Sequence, residues 1–377
     1  MRDALVMGMI ALVLACGSSA IAQPYGLHVD GEGRLTKGGK PYRGIGVNYY
    51  DVFLRKLGNE ADTEYEQGFA TLAAAKIPFV RFIACGFWPK DARLYLDDRA
   101  AFFRRFDAIV RAAEKNGVGL IPSLFWNQPT TCDLVGETCD QWGNPQSKTH
   151  EYMRNYVRDV VTRYKGSSAI WGWEFANEYN LGANLPNAKE WRPPVWVDLG
   201  TAKSRSEKDE WTYEVIRTAF TEFAREVRKY DTYRIISTGD GMVRPGAWHN
   251  WKEKSWTVDT PEQQIEMTIA DNPDPVDVVS VHMYEKDIER LPLALQASHK
   301  LRKPLFVGEF GVPGKRAESE KAFREQLAAI EAQKVPLAAM WTFGGNQKDT
   351  YTVGAEGERA YQLQAITEAN ARIWAGE

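Results

Sequence analysis

The chain has 377 residues, of which 44% are hydrophobic and 26% charged, and its net charge is −3. These proportions are typical of a globular protein and exclude the strongly basic composition of most nucleic-acid binders. The length allows one large domain or two ordinary ones.

The first residues have the pattern of a secretory signal. Arg2 precedes an apolar run over residues 4–15, and Ala20-Ile21-Ala22 matches the small-x-small cleavage pattern. The run is shorter than the about 20 residues that a membrane-spanning helix needs. We therefore predict a signal peptide over residues 1–22 and a secreted or periplasmic protein, with lipid anchoring through Cys16 as a minor alternative.

Three cysteines follow the predicted cleavage point. Export implies an oxidising compartment, so Cys132 and Cys139, which flank the short polar loop CDLVGETC, are predicted to close it as a disulfide. Cys85 ends an apolar strand and is expected to be a buried free thiol. Three cysteines without a histidine cluster argue against a structural zinc site.

The rest of the chain alternates between strand and helix patterns. A Gly-rich start over residues 27–45 predicts a β-hairpin. Eight apolar strands are predicted at 42–50, 78–86, 118–126, 169–178, 234–240, 276–284, 304–311 and 336–345. Eight amphipathic helices follow them, at 62–76, 98–117, 150–166, 209–231, 261–272, 291–302, 319–334 and 358–374.

This order predicts the fold class. Apolar strands that alternate with helices form a parallel sheet covered by helices, and eight such units indicate a (β/α)8 TIM barrel. We predict a single domain over residues 23–377. A doubly wound open sheet is the alternative, but no G-x-G-x-x-G turn follows the first strand. Three long loops, at 127–149, 179–208 and 239–260, fall on the carboxyl face of the barrel and predict a binding cleft.

The strand ends carry the polar and aromatic side chains with chemical potential. In a barrel these ends meet at one mouth. The residues concerned are Arg81, Asn177, Glu178, His282, Tyr284, Glu309 and Trp341.

Two facing carboxyl groups are the minimum required for glycoside hydrolysis, in which one protonates the departing oxygen and the other attacks the sugar or activates water. The acid needs a raised pKa and the nucleophile must stay ionised. Arg81 is positioned to hold a nucleophile charged, and Tyr284 to donate a hydrogen bond to it.

The motifs WEFANE, VSVHMYE, FVGEFG and MWTFGG, together with VRF, resemble those of glycoside hydrolase family 5, which contains cellulases and β-mannanases. The resemblance implies a retaining (β/α)8 enzyme with Glu178 as acid/base and Glu309 as nucleophile. It implies that Asn177 binds the sugar 2-hydroxyl and that Trp341 lies under the sugar beside the cleavage point. Arg81, His282 and Tyr284 match the supporting residues of the family.

The sequence departs from the family at the third strand. Many members carry a His at its end, where this chain has Phe125, Trp126 and Asn127. Trp126 and Trp88 are predicted to contact substrate, and Asn48, at the end of the first strand, is a further candidate for sugar contact. Glu174 lies deeper on the fourth strand and is predicted to form a buried ion pair.

The predicted substrate is a β-linked polysaccharide or oligosaccharide of the 1,4-mannan or 1,4-glucan type, cleaved internally, and no metal or cofactor is expected. One alternative is an exo-acting glycosidase, if the long loops close one end of the cleft. The other is a non-catalytic glycan-binding barrel.

Overall fold

A computed structural model describes residues 25–344 and 350–376. The predicted signal peptide and Cys16 lie outside the described residues. Among the described helices, none is both long and apolar enough to cross a membrane.

Eight parallel strands form the central sheet. They follow the order β8-β7-β6-β5-β4-β11-β10-β9. Asp277 donates its backbone N–H to the Ile236 carbonyl across 3.0 Å, so the two ends of the sheet meet and the barrel closes as predicted. The strands are β4 (Gly44–Asn48), β5 (Phe79–Ile83), β6 (Gly119–Ser123), β7 (Gly172–Glu174), β8 (Ile235–Ser237), β9 (Val279–Tyr284), β10 (Leu305–Gly311) and β11 (Leu337–Met340).

The helices surround the barrel. All eight predicted helices are present. They are α2 (Glu64–Ala74), α4 (Arg99–Asn116), α6 (Lys148–Tyr164), α7 (Tyr213–Arg228), α9 (Pro261–Ala270), α10 (Leu291–Leu301), α11 (Arg316–Ala332) and α12 (Tyr361–Ala375). Gly117 ends α4 in the left-handed conformation, with φ at 66°, as its glycine predicts.

Four short helices in the connections were not predicted. They are α1 (Val52–Gly58), α3 (Pro89–Asp97), α5 (Thr130–Val135) and α8 (Ala247–Glu253). Segments of six to nine residues contain too few turns to show a helical period. The segment 179–209 also contains four single-turn 3₁₀ helices. This long loop on the carboxyl face of the barrel therefore has regular local structure.

The predicted N-terminal hairpin is part of a three-stranded antiparallel sheet, made of β1 (Leu27–Val29), β2 (Leu35–Lys37) and β3 (Lys40–Pro41). Leu27 packs with Trp171 at the amino end of the barrel, and its N–H donates to the Trp171 carbonyl across 2.8 Å. This sheet covers the face opposite the strand ends, which leaves the carboxyl face for the site.

The predicted disulfide between Cys132 and Cys139 is wrong, since both residues are free thiols. Cys132 lies in α5 and Cys139 begins a 3₁₀ turn, and both are fully buried. A hydrogen bond with Cys132, followed by burial, raises the pKa of the Cys139 thiol. The spacing predicted a bond across a short polar loop, whereas the structure places the two cysteines on separate elements in the core.

Candidate active site

Arg81 is the central cation of the barrel mouth. It lies on β5 and is fully buried. Its Nε donates to Glu174 across 2.7 Å, and its Nη1 donates to Glu309 across 2.8 Å. Its Nη2 donates to the Asn177 amide oxygen across 2.9 Å. The guanidinium therefore holds Glu309 and Asn177 in place, and Glu174 holds the guanidinium. The buried charge of Arg81 is thus compensated by two carboxylates and by hydrogen bonds.

Glu309, on β10, is held by three neighbours. Besides the bond from Arg81, it accepts a 2.6 Å hydrogen bond from the Tyr284 hydroxyl. The His282 Nδ1 atom lies 3.5 Å from the same oxygen, Oε2, whereas Arg81 binds Oε1. Burial is the largest influence on the pKa of Glu309 and raises it above its ordinary value. The charges of His282 and Arg81 oppose that effect without cancelling it.

Glu178 follows β7 in a left-handed backbone conformation, with φ at 55°. Its N–H donates to the Gly239 carbonyl across 3.0 Å, and its carboxyl accepts a 2.8 Å bond from His282 Nδ1. Burial would raise the pKa of Glu178, but the hydrogen bond and charge of His282 outweigh burial and lower the pKa. Arg81 and Arg244 add positive charge in the same direction.

The two carboxyl groups lie close together. One oxygen of Glu178, one oxygen of Glu309 and a His282 ring nitrogen all lie within 4.8 Å of one another. Such a trio offers enough ligand atoms for a metal ion. Its carboxyl groups are, however, already engaged, since Glu178 accepts from His282 and Glu309 accepts from Arg81 and Tyr284.

A glycine makes room for the imidazole. A Cβ atom on Gly308 would lie 2.9 Å from His282 Nε2 and 3.1 Å from its Cδ2. Because real Cβ atoms do not approach a ring this closely, any side chain at position 308 would displace His282. The position of the ring between the two carboxyl groups therefore depends on Gly308.

Aromatic rings form one wall of the site. The Arg81 guanidinium lies over Trp126, 4.4 Å from the ring centroid, which is cation–π geometry. Trp126 stacks with Trp341 at 6.3 Å, and Trp341 stacks with Tyr50 at 4.8 Å. Trp341 is half-buried, so part of its ring remains available to a ligand.

The third strand end, where the family motif is absent, contributes to this wall. Phe125 turns away and packs against Phe175, while Trp126 faces Arg81. Trp126 is only 6% exposed. Its ring contacts both the Arg81 guanidinium and Trp341.

Asn48 and Trp88, both predicted to contact substrate, contact other protein groups in the structure. Asn48 is fully buried: its Nδ2 donates to the Gly308 carbonyl across 2.9 Å and its Oδ1 accepts from Arg81 across 3.1 Å. The prediction that Asn48 touches sugar is therefore corrected, since it braces Arg81 instead. Trp88 is half-buried and packs edge-on against Trp196, with centroids 4.8 Å apart.

Sequence reasoning missed several residues of this region. Tyr50 is the last residue of the first predicted strand, and its stacking on Trp341 connects it with the site. Gly308 and Arg244 also carried no signal, since their importance comes from neighbours distant in the chain. Trp142, in the long loop over residues 127–149, is fully buried.

A (β/α)8 barrel whose strand ends bring two carboxyl groups together has the architecture of the barrel glycoside hydrolases. Comparison with known proteins agrees. The family described as cellulase, glycosyl hydrolase family 5, matches residues 37–347, and the chain belongs to that family.

Individual relatives match more narrowly. A probable mannan endo-1,4-beta-mannosidase C from Aspergillus terreus is 34% identical over 108 residues, which are 25% of this chain and 26% of that protein. The chain thus spans about a quarter of that relative's length.

Two solved structures from Rhizomucor miehei share the fold. An endo-1,4-beta-mannanase has a TM-score of 0.65 at 16% identity, covering 93% of this chain and 99% of that one. A glycoside hydrolase family 5 mannosidase in complex with mannosyl-fructose has a TM-score of 0.67 at 12% identity, covering 93% and 97%. At these identities the likeness establishes the fold alone.

Proposed function

We propose that this chain hydrolyses β-glycosidic bonds by double displacement, with Glu309 as nucleophile and Glu178 as acid/base. The main support is that a carboxyl oxygen of Glu178 lies within 4.8 Å of a carboxyl oxygen of Glu309. Retaining enzymes hold their carboxyl groups about 5–5.5 Å apart, whereas inverting enzymes need roughly 6.5–9.5 Å to admit water.

In the first step, a Glu309 oxygen attacks the anomeric carbon while Glu178 gives its proton to the leaving oxygen. A covalent glycosyl-enzyme forms and the leaving sugar departs. In the second step, Glu178 removes a proton from water, and that water displaces Glu309 with overall retention. Arg81 and Tyr284 each donate to Glu309, which favours the ionised form that attacks.

The reactive state carries one proton over the two carboxyl groups. In the structure without substrate, His282 favours ionised Glu178 and burial favours protonated Glu309. Carboxyl groups this close titrate as a pair. The pair that carries one proton therefore also includes the form with the proton on Glu178, which is the reactive form. This state is lost on adding or removing one proton, which gives a bell-shaped dependence of kcat/KM on pH.

A β-1,4-mannan is the proposed substrate, because the relative from Aspergillus terreus and the endo-acting neighbour from Rhizomucor miehei are both named as mannan-cleaving enzymes. Internal cleavage is proposed on the same ground. The exo-acting alternative is supported by the long loop over residues 179–208, which is anchored on α5 by the Arg205–Asp133 ion pair. The contact of both carboxyl groups with one imidazole favours an enzyme over a glycan-binding barrel.

Export and domain organisation complete the proposal. The pattern of residues 1–22 supports a cleaved signal and a secreted or periplasmic enzyme. The barrel strands and helices extend from Gly44 to Ala375, which supports one catalytic domain over residues 23–377.

The test uses β-mannan, β-glucan and manno-oligosaccharides, with Glu309→Ala as control. We expect cleavage of mannan, products with several sugar units, and a β-anomer as the first product in an NMR time course. A first product of the α configuration would overturn double displacement, and release of single sugars only would replace the endo proposal by the exo one.

A further inference from the structure

Arg244, in the loop after β8, is half-buried and oriented by the protein. Its Nε donates to the Leu181 carbonyl across 2.6 Å. Among the side chains that the structure describes, its two terminal nitrogens make no hydrogen bond or ion pair. By contrast, Arg205 in the neighbouring loop places both terminal nitrogens on Asp133, at 2.6 and 2.7 Å. The Arg244 guanidinium is thus held in one orientation by its Nε, and the N–H groups of its two terminal nitrogens can donate to a ligand.

Arg244 lies nearer in the structure to Glu178 than its place in the sequence suggests, because it binds the segment that follows Glu178. The Leu181 carbonyl that it binds belongs to the turn Tyr179–Gly182, which directly follows Glu178, and its positive charge acts on Glu178. Arg244 therefore lies on the Glu178 side of the site. Since the acid stands next to the oxygen that departs, this is the leaving-group side.

An indole accompanies the guanidinium. Trp191 is 56% exposed, and the Arg244 Cζ atom lies 5.7 Å from its ring centroid, within cation–π range. A large flat apolar surface beside forked N–H donors matches a pyranose ring, which has an apolar face and hydroxyl oxygens at its edge. Exposed apolar surface of this kind marks a binding site when a ligand covers it.

We propose that Arg244 and Trp191 form the subsite for the first sugar of the leaving group, with the sugar ring on the indole and its hydroxyl oxygens on the guanidinium. The sugar is a neutral hexose, as in the β-1,4-mannan proposed as substrate. This subsite makes the enzyme select substrates that carry a sugar, rather than a small aglycone, beyond the cleaved bond. The proposal rests on the proposed hydrolytic function.

The experiment compares Arg244→Gln and Trp191→Ala on two substrates with the same retained sugars. One is a manno-oligosaccharide, and the other ends in nitrophenol. Each variant is measured at its own pH optimum, so that a changed pKa of Glu178 does not enter. We expect kcat/KM to fall about 10- to 100-fold on the oligosaccharide, the size expected for lost bonds to a charged donor. Activity on the nitrophenyl substrate should change less than about threefold on the same scale.

Trp256→Ala is the matched control, because Trp256 is exposed to a similar degree, at 51%, and should leave both substrates unaffected. Equal losses on both substrates, no loss on either, or tighter binding of a uronate-containing oligosaccharide than of the neutral one would overturn the subsite. If the native chain cleaves neither substrate, the hydrolytic proposal fails. Calorimetric titration with manno-oligosaccharide then decides the subsite, since unchanged affinity in Arg244→Gln would overturn it.

Discussion

His282 donates its Nδ1–H to Glu178 across 2.8 Å, and the same nitrogen lies 3.5 Å from Glu309. One imidazole thus contacts both groups that are proposed to carry the reaction. It lowers the pKa of Glu178 by a hydrogen bond and by charge, and it opposes the raised pKa of Glu309 by charge. The protonation of the acid pair is therefore linked to a third residue on a different strand.

Replacing His282 by Ala should move both limbs of the pH profile of kcat/KM to higher pH. The reason is that His282 lowers the pKa of each carboxyl group, so its removal lets both rise. We also expect kcat/KM at the optimum to fall about 10²- to 10⁴-fold, as for loss of a group in acid–base catalysis. A profile whose limbs stay in place, or move to lower pH, would contradict this assignment.

The two carboxyl groups should have opposite effects on stability. The folded pKa of Glu309 is raised, so its destabilising effect is absent below the unfolded pKa and grows as pH rises through the folded pKa. Glu309→Gln should then raise the free energy of unfolding at pH 7, by about 1 kcal/mol on the scale of single substitutions, and have little effect in acid.

Glu178 has a lowered folded pKa, so it stabilises above its unfolded pKa and loses that effect as pH falls through the folded value. Glu178→Gln should therefore lower the free energy of unfolding at pH 7, again by about 1 kcal/mol, and this loss should disappear in acid. Denaturant titrations of both variants over a pH series provide the measurement. Shifts of the same sign at pH 7 would refute the pair of assignments.

Gly308→Ala should abolish most activity while leaving the fold intact. The new methyl group would lie 2.9 Å from His282 Nε2, which forces the ring away from the acid pair. We expect a loss in kcat of about 10²-fold, since small misplacements of catalytic groups have effects of that size. Gly58→Ala is the control, because a Cβ there meets no atom within 4 Å. Full activity in Gly308→Ala would show that the ring position is not critical.

Reducing agent should leave thermal stability unchanged, because Cys85, Cys132 and Cys139 are free thiols in the structure. After unfolding without reductant, each of the three should react with a thiol reagent. The check is a melting curve with and without dithiothreitol, together with thiol counting on the chain lacking residues 1–22. A fall in Tm on reduction would instead show that a bond forms between Cys132 and Cys139 in the purified protein.

The fold followed from local patterns because long elements repeat their signals. The eight long helices have 10 to 18 residues, enough for apolar periodicity to appear, the buried strands stand out as continuous apolar runs, and glycines mark ends such as Gly117. Short helices such as α1 and α5 lack that repetition. The disulfide prediction failed because sequence spacing does not fix the geometry that a disulfide requires; Cys132 lies in α5, Cys139 begins a separate turn, and both are free thiols.

The sequence by itself determined the barrel and the order in which Glu178, His282 and Glu309 reach its mouth, because strand ends converge whenever eight parallel units close. Tertiary structure alone decided the contacts among them. Arg81 binds Glu309 and Glu174 at once, and Asn48 braces Arg81 instead of facing the cleft. These bonds join residues up to 228 positions apart. Their geometry depends on the register and twist of the closed sheet, and no local pattern encodes either.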